Sequence, residues 1–109
     1  IRDSFGSQYL PMDETLVLAA VDISGRGSLH WDVDVPLCLL GQFDTSLAKE
    51  FFIAFATNAQ VTLHVRMVTG ENAHHIVEAC FKAVGRAMCA ALMLNPRIAG
   101  ELPTTKGTL

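Results

Sequence analysis

The order of patterned segments predicts an α+β two-layer sandwich, with both helices on one face of a mixed or antiparallel sheet. Three observations carry that expectation. Residues 29–35 and 61–68 alternate apolar and polar side chains with a period of two, as half-buried strands do. Each alternating stretch is followed by an apolar pattern of helical period, so the order reads strand, strand, strand, helix, strand, helix. The 109 residues, half of them hydrophobic and 17% charged, suffice for one compact core spanning residues 1–109 and leave no room for two ordinary ones.

Residues 5–12 contain Gly6 and Pro11 and read as a short strand closed by a turn. Residues 16–24 are rich in β-formers and stop at Gly25-Arg26-Gly27, which invites a hairpin into the next strand. There Leu29, Trp31, Val33 and Val35 face one way and His30, Asp32 and Asp34 the other, until Pro36 ends the strand. Asp44 suits the N-cap of a helix running to about Asn58, with Leu47, Phe51, Phe52 and Phe55 at helical spacing. In the fourth strand Val61, Leu63, Val65 and Met67 share one face, and Thr62, His64 and Arg66 the other. Gly70 turns the chain, Asn72 can cap a second helix from Ala73 to about Leu94, and Asn95-Pro96 stops it. The polar tail from Arg97 to Leu109 is expected to be irregular.

Composition excludes several function classes. With 8 basic against 11 acidic residues, a formal net charge of -3, the chain lacks the basic face that a broad nucleic-acid binder needs. No run reaches the roughly eighteen apolar residues of a membrane helix, and the first residues lack the pattern of a signal peptide. The three cysteines, Cys38, Cys80 and Cys89, form no CxxC pair, so a reducing, cytoplasmic setting is the expectation. The chain begins with Ile rather than Met, and a piece of something longer is expected.

The chemistry concentrates in Glu71-Asn72-Ala73-His74-His75-Ile76-Val77-Glu78. With about 100° per residue and His74 at zero, Glu78 falls near ~40°, Lys82 near ~80°, His75 near ~100° and Arg86 near ~120°. The opposite half of the helix is apolar. His and Glu one turn apart project from one face and can share a metal ion. Adjacent histidines diverge, so they would serve two metals more naturally than one. The partial positive charge of the helix N-terminus disfavours imidazolium there, and neutral imidazole is the form that binds metal. His64, on the non-core face of the preceding strand, is a third candidate ligand. A plain solvated stripe is the competing reading of these residues. His30, Asp32 and Asp34 form a second His/carboxylate set, but two-residue spacing along a strand separates them, and a solvated face is expected. The tail residues Thr104, Thr105 and Lys106 offer hydroxyls and an ammonium suited to a phosphate, and Lys82 is a possible second cation.

Pro11-Met12-Asp13-Glu14-Thr15-Leu16, Val21-Asp22-Ile23-Ser24-Gly25-Arg26, Phe43-Asp44-Thr45, Leu63-His64-Val65-Arg66, the stretch from Glu71 to Ala79 with Phe81-Lys82-Ala83, and Pro103-Thr104-Thr105-Lys106-Gly107 together resemble the imidazoleglycerol-phosphate dehydratases of histidine biosynthesis. Members of that family contain two similar halves, each with an HHxxE motif, and this chain resembles the second, C-terminal half. The resemblance implies a β(3)-α-β-α half-repeat with a left-handed crossover, the topology of a domain found in a ribosomal protein. It implies a site of two manganese ions (Mn2+), built from both halves and completed between subunits of a large symmetric homo-oligomer. It further implies that His64, His74, His75 and Glu78 ligate metal, with His74, His75 and Glu78 at the catalytic centre. Lys82, Thr104, Thr105 and Lys106 match substrate-binding positions, and the substrate implied is imidazole glycerol phosphate, dehydrated to imidazole acetol phosphate. Neither nucleic acid nor membrane is an expected partner. Two departures stand out: Ser4 replaces the usual Arg before Phe5-Gly6, and Gly27-Ser28 replaces a Pro-aromatic pair. A non-catalytic half-domain, or a metal-binding assembly module with an incomplete site, is the alternative function. A zinc hydrolase built on His74, Glu78 and His64 is a third.

Overall fold

The computed structural model describes residues 4–93. The elements are β1 (Phe5–Met12), β2 (Thr15–Asp22), β3 (Ser28–Asp32), β4 (Leu39–Leu40), β5 (Phe43–Asp44), α1 (Leu47–Ala59), β6 (Thr62–Thr69) and α2 (Ala73–Met93). Four strands form one sheet in the order β1-β2-β6-β3, with β3 parallel to β6 and the other neighbours antiparallel. The expected two-layer α+β sandwich with a mixed sheet is therefore present.

One face of this sheet is sealed by both helices. Val17, Ala19 and Val21 of β2 and Leu63 and Val65 of β6 are at most 1% exposed. They pack with Phe52 and Ala56 of α1 and with Ile76, Ala79, Cys80, Ala83 and Ala87 of α2. The alternate positions Leu18, Ala20, His64 and Arg66 line the opposite, open face. Period-two patterning thus divides the sheet into a core side and an open side.

Three local expectations need correction. Gly25-Arg26-Gly27 does not close a hairpin: β6 lies between β2 and β3. The loop is tied instead to the start of β6, with Gly25 N donating to Gln60 O and Ser28 N to Val61 O. Asp44 does not cap α1; it belongs to β5, and its Oδ1 accepts from the Ser46 amide and hydroxyl, so the helix starts later. The core side of α1 is Ala48, Phe52 and Ala56, whereas Leu47 and Phe51 are half exposed. Small residues win this face because the helix end lies close to the sheet: a Cβ on Gly27 would stand 2.6 Å from Thr57 Cα and 2.7 Å from Ala56 O.

The same logic shapes α2. Its buried stripe is rich in alanine because a Cβ on Gly6 of β1 would meet Ala87 O and Ala91 N at 2.4 Å. Ala91, near the end of this stripe, is buried as well. Ser4 is buried beside it and its hydroxyl donates to the Ala91 carbonyl, so its side chain is committed to the fold. The short β4-β5 ribbon, turning at Gly41 with φ 65°, carries no strand-like run in sequence and is an addition to the expected order.

Candidate functional site

The site lies where the β1-β2 turn meets the N-terminus of α2, and sheet topology brings those segments together. Because β2 runs antiparallel to β6 with Leu16 opposite Thr69, the turn before β2 stands beside the segment that follows β6. Met12 pairs with Thr15, leaving Asp13 and Glu14 as a two-residue turn. Asp13 has φ 51°, the left-handed region that a non-glycine residue enters only when its surroundings impose it. Gly70 lets the chain leave β6, since a Cβ there would meet Ile76 and the Met67 sulfur at 2.9 Å.

Asn72 caps α2 as expected: its Oδ1 accepts from His75 N at 3.0 Å and its carbonyl from Ile76 N at 2.9 Å. The capped first turn then presents His74 and His75 in different directions, with ring centroids 6.4 Å apart and planes at 75°. His74 Nε2 is 2.9 Å from Glu78 Oε1, and Glu78 Oε2 accepts from Lys82 Nζ at 2.8 Å. The Lys82 ammonium, first through its hydrogen bond and then through its charge, holds the Glu78 carboxyl below its ordinary value, and His74 adds to this.

His75 takes a different partner. Its Nδ1 is 2.8 Å from Glu14 Oε1, and Asp13 Oδ2 stands 3.8 Å from its Nε2. Glu14 Oε2 meanwhile accepts from the Thr15 hydroxyl at 2.6 Å, from Asn72 N at 2.9 Å and from Glu71 N at 3.0 Å. Those donors, the Thr15 hydroxyl foremost and the His75 ring last, hold the Glu14 carboxyl far below the usual carboxylate range. Glu14 lies within a motif that carries the family resemblance, yet sequence reasoning gave it no role. A residue sixty-one positions from its partner leaves no periodic signal.

His64 does not join this cluster within the chain. It stands on the open sheet face, paired across strands with His30, their rings stacked with centroids 4.5 Å apart and planes at 15°. Five residues of strand, roughly 16 Å, separate it from the end of β6. The face expected to be merely solvated therefore contains an organised pair, flanked by Arg66 and Asp32 at 3.7 Å. A one-metal site of His74, Glu78 and His64 is not assembled. Thr104, Thr105 and Lys106 lie outside the described residues.

Two His/carboxylate pairs thus sit side by side on one helix end. The 2.9 Å between His74 Nε2 and Glu78 Oε1 suits neighbouring ligands on an octahedral ion, which stand about 3 Å apart when bonds are near 2.1 Å. The donor chemistry, imidazole and carboxylate, fits manganese. Among the described residues no group of three or more His, Cys, Asp or Glu converges to hold an ion.

Comparison with known proteins places the chain among relatives of one family. A model of the imidazoleglycerol-phosphate dehydratase family matches residues 2–88. The chain is 52% identical over 105 residues to the imidazoleglycerol-phosphate dehydratase of Nitrobacter hamburgensis, covering 96% of this chain and 53% of that protein. It is 55% identical over 105 residues to that of Dinoroseobacter shibae, covering 96% of this chain and 54% of that protein. The crystal structure of the Staphylococcus aureus imidazoleglycerol-phosphate dehydratase superposes with a TM-score of 0.78 at 45% identity, over 81% of this chain and 52% of that one. The Pyrococcus furiosus structure gives a TM-score of 0.74 at 44% identity, over 81% and 49% of the two chains. No helix among the described residues is long and apolar enough to cross a membrane. Spanning about half the length of the curated relatives it matches, the chain belongs to the imidazoleglycerol-phosphate dehydratase family.

Proposed function

We propose that the chain supplies the C-terminal half of a manganese-dependent imidazoleglycerol-phosphate dehydratase, which removes water from imidazole glycerol phosphate to give imidazole acetol phosphate in histidine biosynthesis. The observation that carries this reading is the pair of His/carboxylate couples on the capped end of α2, in a chain of this family. His74 with Glu78 would hold one ion and His75 another, with the remaining ligands, His64 among them, arriving from outside the single chain. A divalent ion at each place would polarise the substrate imidazole and favour its anionic form, whose electrons can expel the hydroxyl. The residues of this chain orient that chemistry. Asn72 fixes the first helical turn, Glu78 divides its two oxygens between His74 and Lys82, and Lys82 keeps a cation beside the place where an anionic substrate would lie. Lys106, Thr104 and Thr105 would complete the phosphate grip.

Partners follow from the same incompleteness. The groove between the helices is lined by Phe51, Phe55, Phe81, Val84 and Met88, and Leu47 and Ile53 add exposed apolar surface on α1. Such a surface suits burial against the other half of the protein and neighbouring subunits. A second reading, a half-domain without catalysis, draws on the absence of a three-donor cluster among the described residues. Metal analysis and turnover of His74→Ala and His75→Ala in the assembled protein decide between them. Loss of bound manganese together with dehydration is expected; unchanged metal content in both variants would refute the dinuclear assignment. Steady turnover by a verified monomer of this chain would refute the shared site.

A further inference from the structure

The β1-β2 turn does more than close a hairpin. Glu14 has two oxygens with separate tasks. Oε2 is saturated by the Thr15 hydroxyl and the amides of Glu71 and Asn72, an arrangement that ties the turn to the helix start. It also requires the carboxylate form, because three hydrogens point at that one oxygen. Oε1, 2.8 Å from His75 Nδ1, can then act only as an acceptor, so Nδ1 must carry the hydrogen. Among the described residues the other ring nitrogen has no hydrogen-bond partner, since Asp13 Oδ2, at 3.8 Å, is beyond bonding distance.

We propose that Glu14 is a positioning residue for His75: it fixes the ring with its hydrogen on Nδ1 and presents the Nε2 lone pair to a metal ion. The proposal rests on the metal-binding reading of His75 given above. It assigns to a hairpin turn the outer-shell carboxylate that metal-bound histidines commonly require. His74 lacks an equivalent. Its Nε2 already faces Glu78 Oε1 at 2.9 Å. The two imidazoles are therefore partnered differently: His75 through Nδ1 by a residue of the hairpin turn, and His74 through Nε2 by a residue of its own helix.

Nitrogen-15 spectra of the ring in the assembled, metal-free protein read the tautomer directly. The expected result is the Nδ1–H form at His75; the Nε2–H form would overturn the proposal. Glu14→Gln should mix the tautomers and weaken one class of manganese site by about 10- to 100-fold, read by electron paramagnetic resonance during Mn2+ titration. Glu14→Asp, which keeps the carboxylate, should recover part of both. Unchanged affinity of every manganese site in a folded Glu14→Gln would overturn the proposal while leaving the metal reading intact. Failure of the unsubstituted protein to bind manganese would overturn the metal reading and this proposal with it. Should Glu14→Gln fail to fold, the tautomer in the unsubstituted protein decides alone.

Discussion

His74 and His75 stand on the first turn of a capped helix, each with a carboxylate oxygen within 2.9 Å. His30 and His64 stand on neighbouring strands of an open sheet face and lean on each other, and among the described residues only the Ser28 hydroxyl, 3.3 Å from His30 Nε2, adds a polar contact. The helix end is pre-assembled: a cap fixes the first turn, and Glu78 and Glu14 each partner one nitrogen of a histidine ring. The sheet face is planar and accessible, and its histidines are positioned by strand register. A surface of the first kind can orient ligands by itself. One of the second kind holds its histidines by strand register and by their mutual stacking.

Leu63 provides the hardest test of that contrast, because it is fully buried directly beneath the open face. Leu63→Ala should lower the unfolding free energy by about 2–5 kcal/mol in chemical denaturation. If the helix end is pre-assembled, the folded fraction should keep the His75–Glu14 bond, seen as an unaltered ring spectrum. Loss of that bond at denaturant concentrations well below the global transition would erase the distinction. Glu78→Ala removes the partner of both His74 and Lys82 and should lower manganese affinity on the order of 100-fold or more, given that outer-shell losses reach about 10–100-fold. His30→Ala removes only a stacking neighbour of His64, and an effect of roughly tenfold or less is expected for ~0.5–1.5 kcal/mol. Equal losses in the two variants would mean that the sheet face is as pre-organised as the helix end.

Acid separates the regions in a third way. Glu14 and Glu78 are both held below their ordinary values by hydrogen-bond donors and cations. Their contribution is therefore complete above the unfolded carboxylate pKa, about 4.3, and is lost as pH falls toward the folded values. Hydrogen exchange at the Glu71 and Asn72 amides, which donate to Glu14, should quicken relative to the core strands as the pH falls below ~4. Acceleration on going from pH 5 to pH 7, after correction for the intrinsic rate, would contradict the sign.

The fold was legible wherever a period was sustained. The alternation at residues 61–68, the helical stripe after Asn72 and the cap itself all follow from local stereochemistry, and the structure reproduces them. Strand neighbours were not legible. The insertion of β6 between β2 and β3 is decided by long-range pairing, while the turn glycines favour a hairpin locally. Nor was the core side of α1, where a spacing shared by Leu47, Phe51, Phe52 and Phe55 gives no sign that Gly27 brings the helix backbone close. At the site, residues on one helix were found together because helical geometry is local. Glu14 was missed, and His64 was drawn toward His74, because both depend on how strands align across the sheet.

Arg66 and Asp32 set the lower limit of the comparison. Their side chains approach to 3.7 Å on the open face while remaining 68% and 81% exposed. Exposed pairs of this kind gain little, because water screens the charges and two long side chains lose freedom in holding one geometry. A double-mutant cycle with Arg66→Ala and Asp32→Ala should give a coupling of ~0.2–1 kcal/mol at low salt that fades as ionic strength rises. The arrangement at Glu78 is different in kind, because one carboxylate serves His74 and Lys82 together and its side chain is less exposed, at 37%. The cycle between Glu78 and Lys82 should accordingly exceed the first and retain more of its value in salt. If the two couplings are equal, or if the open-face pair proves the stronger, then register along the sheet organises its charges as firmly as the capped helix does.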